Sequence, residues 1–89
     1  MVLRQPGSHQ LSVIIGSQIR AARAFLRWSA NRLATESKLG IATVRRAEAE
    51  DGILPISAIS VDTLRRALEA AGVEFTNGGE PGVKLRSRP

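Results

Sequence analysis

Residues 33–48 read LATESKLGIATVRRAE, and this stretch decides the fold. It holds two short segments in which small and apolar residues recur at helical spacing, separated by Lys38, Leu39 and Gly40. Two short helices joined by a turn this tight cross at a steep angle, and the second one protrudes from the domain. We therefore predict a helix over residues 30–37, a turn, and an exposed helix over residues 41–49.

The segment before this pair is predicted to be an amphipathic helix over residues 15–27. Arg20, Arg23 and Arg27 follow helical spacing on a face of their own, which makes that face basic. A second face is apolar and suits a core, and it consists of Ile15, Ile19, Ala22 and Leu26. Ser29 comes directly before residues 30–37 and is the expected N-cap of that helix.

A fourth helix is predicted over residues 61–71, with Ser60 as its N-cap and Asp62 at the positive end of its dipole. Gly72 is the expected stop. The connection over residues 53–59 contains a proline, and its conformation stays open, with one helical turn as an option.

Two short β-prone runs end the chain, over residues 73–76 and 83–86, with a Gly-rich turn between them. They predict a β-hairpin. An isolated hairpin is marginally stable in water, so this one must pack on the helices or pair with a second copy of the chain. With the fourth helix, it is the candidate contact of a homodimer.

The whole chain of 89 residues has room for one domain and one main core. We predict a mainly α fold of four helices followed by a short C-terminal β-hairpin, with residues 12–72 as the helical domain and 73–86 as the hairpin. Residues 1–11 and 87–89 are expected to be tails, since they lack apolar periodicity.

Composition excludes several classes of function. There is no Cys, and the single His9 has no clustered carboxylates nearby, so we expect neither a metal site nor another cofactor. No apolar run approaches the length of a membrane span or a signal peptide, which favours a cytoplasmic protein with no membrane partner. No base is positioned by a motif to activate a hydroxyl, so an enzyme is not expected.

The net charge of +5 is unevenly distributed. Residues 16–50 carry seven basic and three acidic residues, whereas residues 51–89 carry five of each. A basic surface confined to the first three helices is what contact with a phosphate backbone requires. For any single arginine, a solvated helix face with no partner is an equally good interpretation.

Residues 33–48 resemble the helix-turn-helix of the Xre/Cro (lambda-repressor-like) regulators, and a weaker likeness extends over residues 15–72. The likeness is carried in register by five positions: Ala34, where two helices meet, Leu39 in the turn, Thr43 and Val44 early in the recognition helix, and Glu48 near its end. Three positions depart from the pattern, since Lys38 stands where the family usually has Gly, and apolar Ile41 and Ala42 stand where polar base-contacting residues are common.

The resemblance implies double-stranded DNA binding, with residues 41–49 as the recognition helix in the major groove. The side chains that would face bases are Ile41, Ala42, Thr43 and Arg46. The residues that would contact phosphates are Ser29, Asn31, Lys38 and Arg45. The resemblance also implies a largely buried salt bridge between Arg23 and Glu48 that holds the recognition helix on its scaffold.

These expectations lead to a transcriptional regulator that binds paired half-sites as a homodimer, with repression or activation left open. The alternative is a protein-binding module on the same fold, such as an antiactivator or an antitoxin-like partner of a regulatory protein. Apolar Ile41 and Ala42 motivate this alternative.

Overall fold

The computed structural model describes residues 14–49, 55–76 and 80–86. The predicted tails 1–11 and 87–89 lie outside these ranges. The described residues form four helices followed by a two-stranded antiparallel hairpin, which confirms the predicted fold class. The elements are α1 (Gly16–Leu26), α2 (Ala30–Ser37), α3 (Ile41–Glu48), α4 (Ala58–Ala70), β1 (Val73–Thr76) and β2 (Gly82–Leu85).

α2 and α3 begin where the local sequence predicts, although α3 ends at Glu48, one residue before the predicted 49. α1 is one residue shorter at each end than the predicted 15–27, because Ile15 and Arg27 are its caps. The Ser29 hydroxyl accepts a hydrogen bond from the Arg32 amide at 2.9 Å, so Ser29 is the N-cap of α2. Gly40 takes the N-cap position of α3 with an extended backbone. At the start of α1, the Gln18 side-chain oxygen accepts from the Ile15 amide at 2.9 Å.

The predicted start of α4 is wrong by three residues. Ser57 is the N-cap, and its hydroxyl accepts from the Ser60 amide at 3.1 Å, so Ser60 lies inside the first turn. The earlier start removes Asp62 from the positive end of the helix dipole. Asp62 instead pairs along the helix with Arg65 at 2.5 Å and with Arg66 at 2.8 Å.

A single apolar cluster joins all six elements. Small Ala22, Ala34 and Ala47 are buried in it, and they allow the helices to approach closely. α2 packs against α3 and α4, while α1 packs against α3 and β2. The largest fully buried side chains are Ile19, Leu33, Val44, Leu64, Leu68 and Val73.

The hairpin packs on the helices of its own chain. Strand β1 pairs with β2 in the register Val73 to Leu85, and Val73 is fully buried. The amide of Gln18 on α1 donates to the Thr76 carbonyl at 3.2 Å and to the Gly82 carbonyl at 3.0 Å. These two bonds tie the last residue pair of the hairpin to α1, and they satisfy a polar side chain that is 3% exposed.

Strand β2 begins and ends one residue earlier than the predicted 83–86. The predicted helix stop holds: Gly72 follows α4 with φ +112°, a backbone conformation that side chains other than glycine rarely adopt. The chain can therefore turn directly from α4 into β1.

Candidate nucleic-acid interface

Helix α3 presents a mixed surface to solvent. Ala42, Arg45 and Arg46 are exposed, whereas Ile41 and Thr43 are half-buried. Val44 and Ala47 on the opposite side are fully buried. The exposed surface of α3 is therefore small and apolar near its N-terminus and cationic near its C-terminus.

The four residues predicted to face bases do not share one environment. Ile41 is half-buried because it packs against the core cluster, so only part of its side chain is free for a partner. Ala42 and Arg46 are exposed at the surface. Arg46 makes no side-chain hydrogen bond or ion pair with another described residue, so its five donors are free for a ligand.

The residues predicted to contact phosphates lie around α2 and α3. Ser29, Asn31, Lys38 and Arg45 are all exposed. The Ser29 hydroxyl uses an acceptor lone pair on the Arg32 amide, and its O–H remains able to donate. Lys38 has φ 62° and ψ 30°, which is the left-handed backbone expected at a position where the family usually has Gly.

The predicted pair of Arg23 and Glu48 is present and links α1 to the end of α3. Arg23 donates through Nε to Oε2 at 2.6 Å and through Nη2 to Oε1 at 3.0 Å. A third bond runs from Arg23 Nη1 to the Trp28 carbonyl at 2.9 Å. The side chains of Arg23 and Glu48 are 22% and 11% exposed, so the pair is largely buried, as the resemblance implied. The hydrogen bonds with Glu48 raise the pKa of Arg23 against the opposing effect of burial.

Arg20 belongs to the same anchoring arrangement. Its guanidinium donates to the main-chain carbonyl of Glu48, one of the acceptors left open at the end of α3. Two of the three arginines predicted to share a basic face, Arg20 and Arg23, therefore hold the C-terminus of α3. Arg27, the third, lies just after the end of α1, is exposed and has no side-chain partner among the described residues.

The cationic side chains differ in whether they have a partner. Arg20 and Arg23 are engaged with Glu48, and Arg32 on α2 pairs with Glu36 at 2.8 Å. In the described part of the chain after α3, they are engaged: Arg65 with Asp62 and Glu69, Arg66 with Asp62, Lys84 with Glu74 at 3.7 Å, and Arg86 with the Glu69 carbonyl. Around the helix-turn-helix, four exposed cations have no such partner within the described residues: Arg27, Lys38, Arg45 and Arg46. The exposed cations without a partner among the described residues therefore lie beside α2 and α3.

Burial and ion pairing oppose one another at Arg65. Burial would lower its pKa, but hydrogen bonds and charge attraction from Asp62 and Glu69 outweigh that effect and raise it. The same contact with Arg65 lowers the pKa of Asp62. This triad lies along α4 and stabilises that helix.

Within residues 14–49, 55–76 and 80–86, no three His, Asp or Glu side chains are grouped so that they could hold a metal ion. None of the helices described is both long and apolar enough to cross a membrane.

Comparison with known families and proteins returns no match: no family model fits the chain, and no curated protein matches it. The likeness of residues 33–48 to the Xre/Cro regulators therefore stays a prediction that rests on those residues.

Two residues of the scaffold were missed by the sequence analysis. Gln18, a polar residue on the buried side of α1, bridges to the hairpin over 58 and 64 positions. The sequence offered a signal for its bond with the Ile15 amide, since a Gln three residues after the N-cap suits a capping arrangement, but none for its bonds to the hairpin. The bond of Arg20 with the Glu48 carbonyl had no sequence signal, because any arginine of the basic face could have reached it.

Proposed function

We propose that this chain is a sequence-specific, double-stranded DNA-binding transcriptional regulator that places α3 in the major groove. The observation that carries the proposal is the distribution of unengaged cations. Arg27, Lys38, Arg45 and Arg46 surround the helix-turn-helix without ion pairs among the described residues, whereas the basic residues of α4 and the hairpin are engaged. Cations without internal partners on one surface favour a polyanionic ligand.

Specificity would depend mainly on Arg46. A guanidinium can donate to O6 and N7 of one guanine, which is worth about 1–3 kcal/mol against a wrong base. Ala42 and the free part of Ile41 would contact the methyl group of thymine, and Thr43 would reach a base or a phosphate. With one strong donor on the helix, we expect a short motif in which a single guanine dominates.

The remaining polar residues would fix the register of the protein on the duplex. Lys38 and Arg45 are exposed cations, and Ser29 and Asn31 are exposed donors at the N-terminal end of α2. Contacts of this kind with phosphates contribute affinity that does not depend on sequence. Their loss should weaken binding to every DNA alike and reduce its salt dependence.

Anchoring of α3 to α1 supports the same function. Base recognition requires that a helix be held within a fraction of an ångström of its productive position. The bidentate Arg23–Glu48 pair and the bond from Arg20 to the Glu48 carbonyl hold α3 at the end remote from its N-terminus. The residues of α3 proposed to face bases therefore do not have to anchor the helix.

We further propose that the regulator acts as a homodimer through the hairpin and α4. Two copies can place their recognition helices one turn of DNA apart, about 34 Å, and add their affinities. Leu85 on β2 is 47% exposed and Ile59 on α4 is 79% exposed, which leaves apolar surface on both candidate elements. Sedimentation with and without a palindromic duplex tests this, and a monomer under both conditions would refute it.

The first experiment is a titration of the protein with DNA from upstream of its own gene and with unrelated DNA, at 50 and 200 mM salt. Arg46→Ala is compared with the wild type, and Arg66→Ala on α4 is the matched control. We expect selective binding that only Arg46→Ala loses. Weak binding that is equal on both DNAs would contradict the proposal.

The second candidate is a protein-binding module such as an antiactivator or an antitoxin-like partner. It is favoured by the small apolar surface that Ala42 and the free part of Ile41 form at the start of α3. Ala42→Asp tests it better than a change at Ile41, because Ile41 also packs on the core. This candidate predicts that Ala42→Asp disrupts a complex with a regulatory protein while DNA affinity stays non-specific throughout.

A further inference from the structure

The two connections on either side of α2 have the same construction. Each consists of three residues: Arg27, Trp28 and Ser29 before the helix, and Lys38, Leu39 and Gly40 after it. In each, an exposed cation is followed by an apolar residue packed on the core and then by the N-cap of the next helix.

The hydrogen bonds of the two connections also agree. The amide of Arg27 donates to the Ala24 carbonyl and that of Trp28 to the Arg23 carbonyl, at 3.2 and 2.9 Å. After α2, the amides of Lys38 and Leu39 donate in the same pattern at 3.2 and 3.1 Å. This pattern is the Schellman motif, which ends a helix with one residue in the left-handed conformation.

In both motifs a cation occupies the left-handed position. Arg27 has φ 60° and Lys38 has φ 62°, and in the described part of the chain no other residue except glycine has a positive φ. Glycine is the residue that normally takes this position, because a Cβ atom is strained there. The chain thus bears a backbone strain twice, each time at a long cationic side chain.

Neither cation uses its charge inside the domain. Both are exposed, and neither makes a side-chain hydrogen bond or ion pair with another described residue. They bracket α2, an eight-residue helix about 12 Å long. In a helix-turn-helix bound to DNA, the first helix of the motif crosses the phosphate backbone. The two ends of α2 would then meet different phosphates.

We propose that Arg27 and Lys38 form a pair of phosphate contacts at the two ends of α2, retained at the expense of backbone strain. This inference rests on the proposed DNA-binding function, and it adds Arg27 to the interface. The fixed left-handed backbone would direct both side chains away from the core toward the duplex. The pair contributes affinity without distinguishing sequences.

The strain gives the test two readouts that move in opposite directions. Arg27→Gly and Lys38→Gly relieve strain, and each should raise the melting temperature by about 2–6 °C after the added freedom of the unfolded chain is included. The same variants lose a phosphate contact. Each should weaken binding equally on specific and unrelated duplexes and reduce the slope of log affinity against log salt by about one.

Charge and strain are separated by two further variants. Arg27→Gln and Lys38→Gln remove the charge but keep a Cβ, so they should reproduce the binding loss without the gain in melting temperature. Arg66 on α4 is 70% exposed and paired with Asp62, so Arg66→Gln is the control. It removes an exposed charge but should leave the salt slope unchanged. The double variant Arg27→Gln/Lys38→Gln should reduce the slope of log affinity against log salt by about two, because the effects of contacts this far apart are additive.

Three results would overturn the inference. If the wild type binds DNA and the glycine variants bind with unchanged affinity and slope, the cations have no role at the backbone. If the loss occurs on the specific duplex alone, they contact bases and not phosphates. If the wild type binds neither duplex, the proposed function fails and the inference fails with it. The wild-type titration alone shows this outcome, whereas the first two results require the variants.

Discussion

Loss of the carboxylate at Glu48 should destabilise the whole domain. Glu48→Ala removes both acceptors of the bidentate contact, so Nε and Nη2 of the Arg23 guanidinium each lose their Glu48 partner. Removal of one partner from a fully buried ion pair costs about 3–5 kcal/mol. Because Arg23 is 22% exposed and Glu48 11%, water can partly solvate the remaining cation, so we expect about 2–3 kcal/mol.

A loss of this size is easily measured in a chain of this length. Each kcal/mol shifts the melting temperature of a small domain by about 4–8 °C, so Glu48→Ala should lower it by about 10–20 °C. The assay is thermal unfolding for the melting temperature and urea unfolding for the free energy, both followed by circular dichroism, on Glu48→Ala, Arg23→Met and the double variant. If the two residues act as a pair, the double variant loses less than the sum of the single losses, by about 1–3 kcal/mol. Additive losses, or a single loss below about 0.5 kcal/mol, would refute the reasoning.

Further predictions concern the hairpin, a helix cap and pH. Gln18→Leu removes both side-chain bonds to the hairpin, so the amides of residues 73–76 should exchange hydrogen faster. The amides of α2 should keep their protection. Equally faster exchange in residues 73–76 and in α2 would contradict a local role for Gln18. Ser29→Ala should cost about 1 kcal/mol in urea unfolding, because the Arg32 amide loses its acceptor, whereas Ser29→Gly should cost only a few tenths. The hydrogen bond from Arg65 lowers the pKa of Asp62 below its ordinary 3.8. The stability that this contact contributes is therefore complete above about pH 4 and is lost as pH falls further. In Asp62→Asn, the melting temperature should change less between pH 2 and 4 than it does in the wild type.

Much of the fold followed from local chemistry. Ser29 before an amphipathic run, and Gly72 before a β-prone one, are signals that act within one turn of the chain. The bounds of α2 were predicted without error for this reason. α4 was harder, since Ser57 and Ser60 can both cap a helix. α4 gains an additional turn that starts at Ala58, directly after Ile56, which packs on the core. That packing is a tertiary contact, so the local sequence does not show it.

The candidate site divides in the same way. Sequence periodicity placed Arg20, Arg23 and Arg27 on one basic face, but it did not distinguish their roles. The structure does: two of them reach Glu48 across 28 and 25 positions, and the third remains in solvent. Whether an arginine of this face bonds within the domain depends on its distance from the end of α3. That distance cannot be read from any local sequence pattern.

By itself, the sequence determined the helix-turn-helix, its caps and turns, the hairpin and the excess of positive charge in residues 16–50, because each depends on neighbours a few residues apart. Only the tertiary structure decided which cations stay free, how Gln18 fastens the hairpin to α1 and how α3 is held. Those outcomes depend on contacts between residues that are distant along the chain, whose geometry exists only once the core has packed.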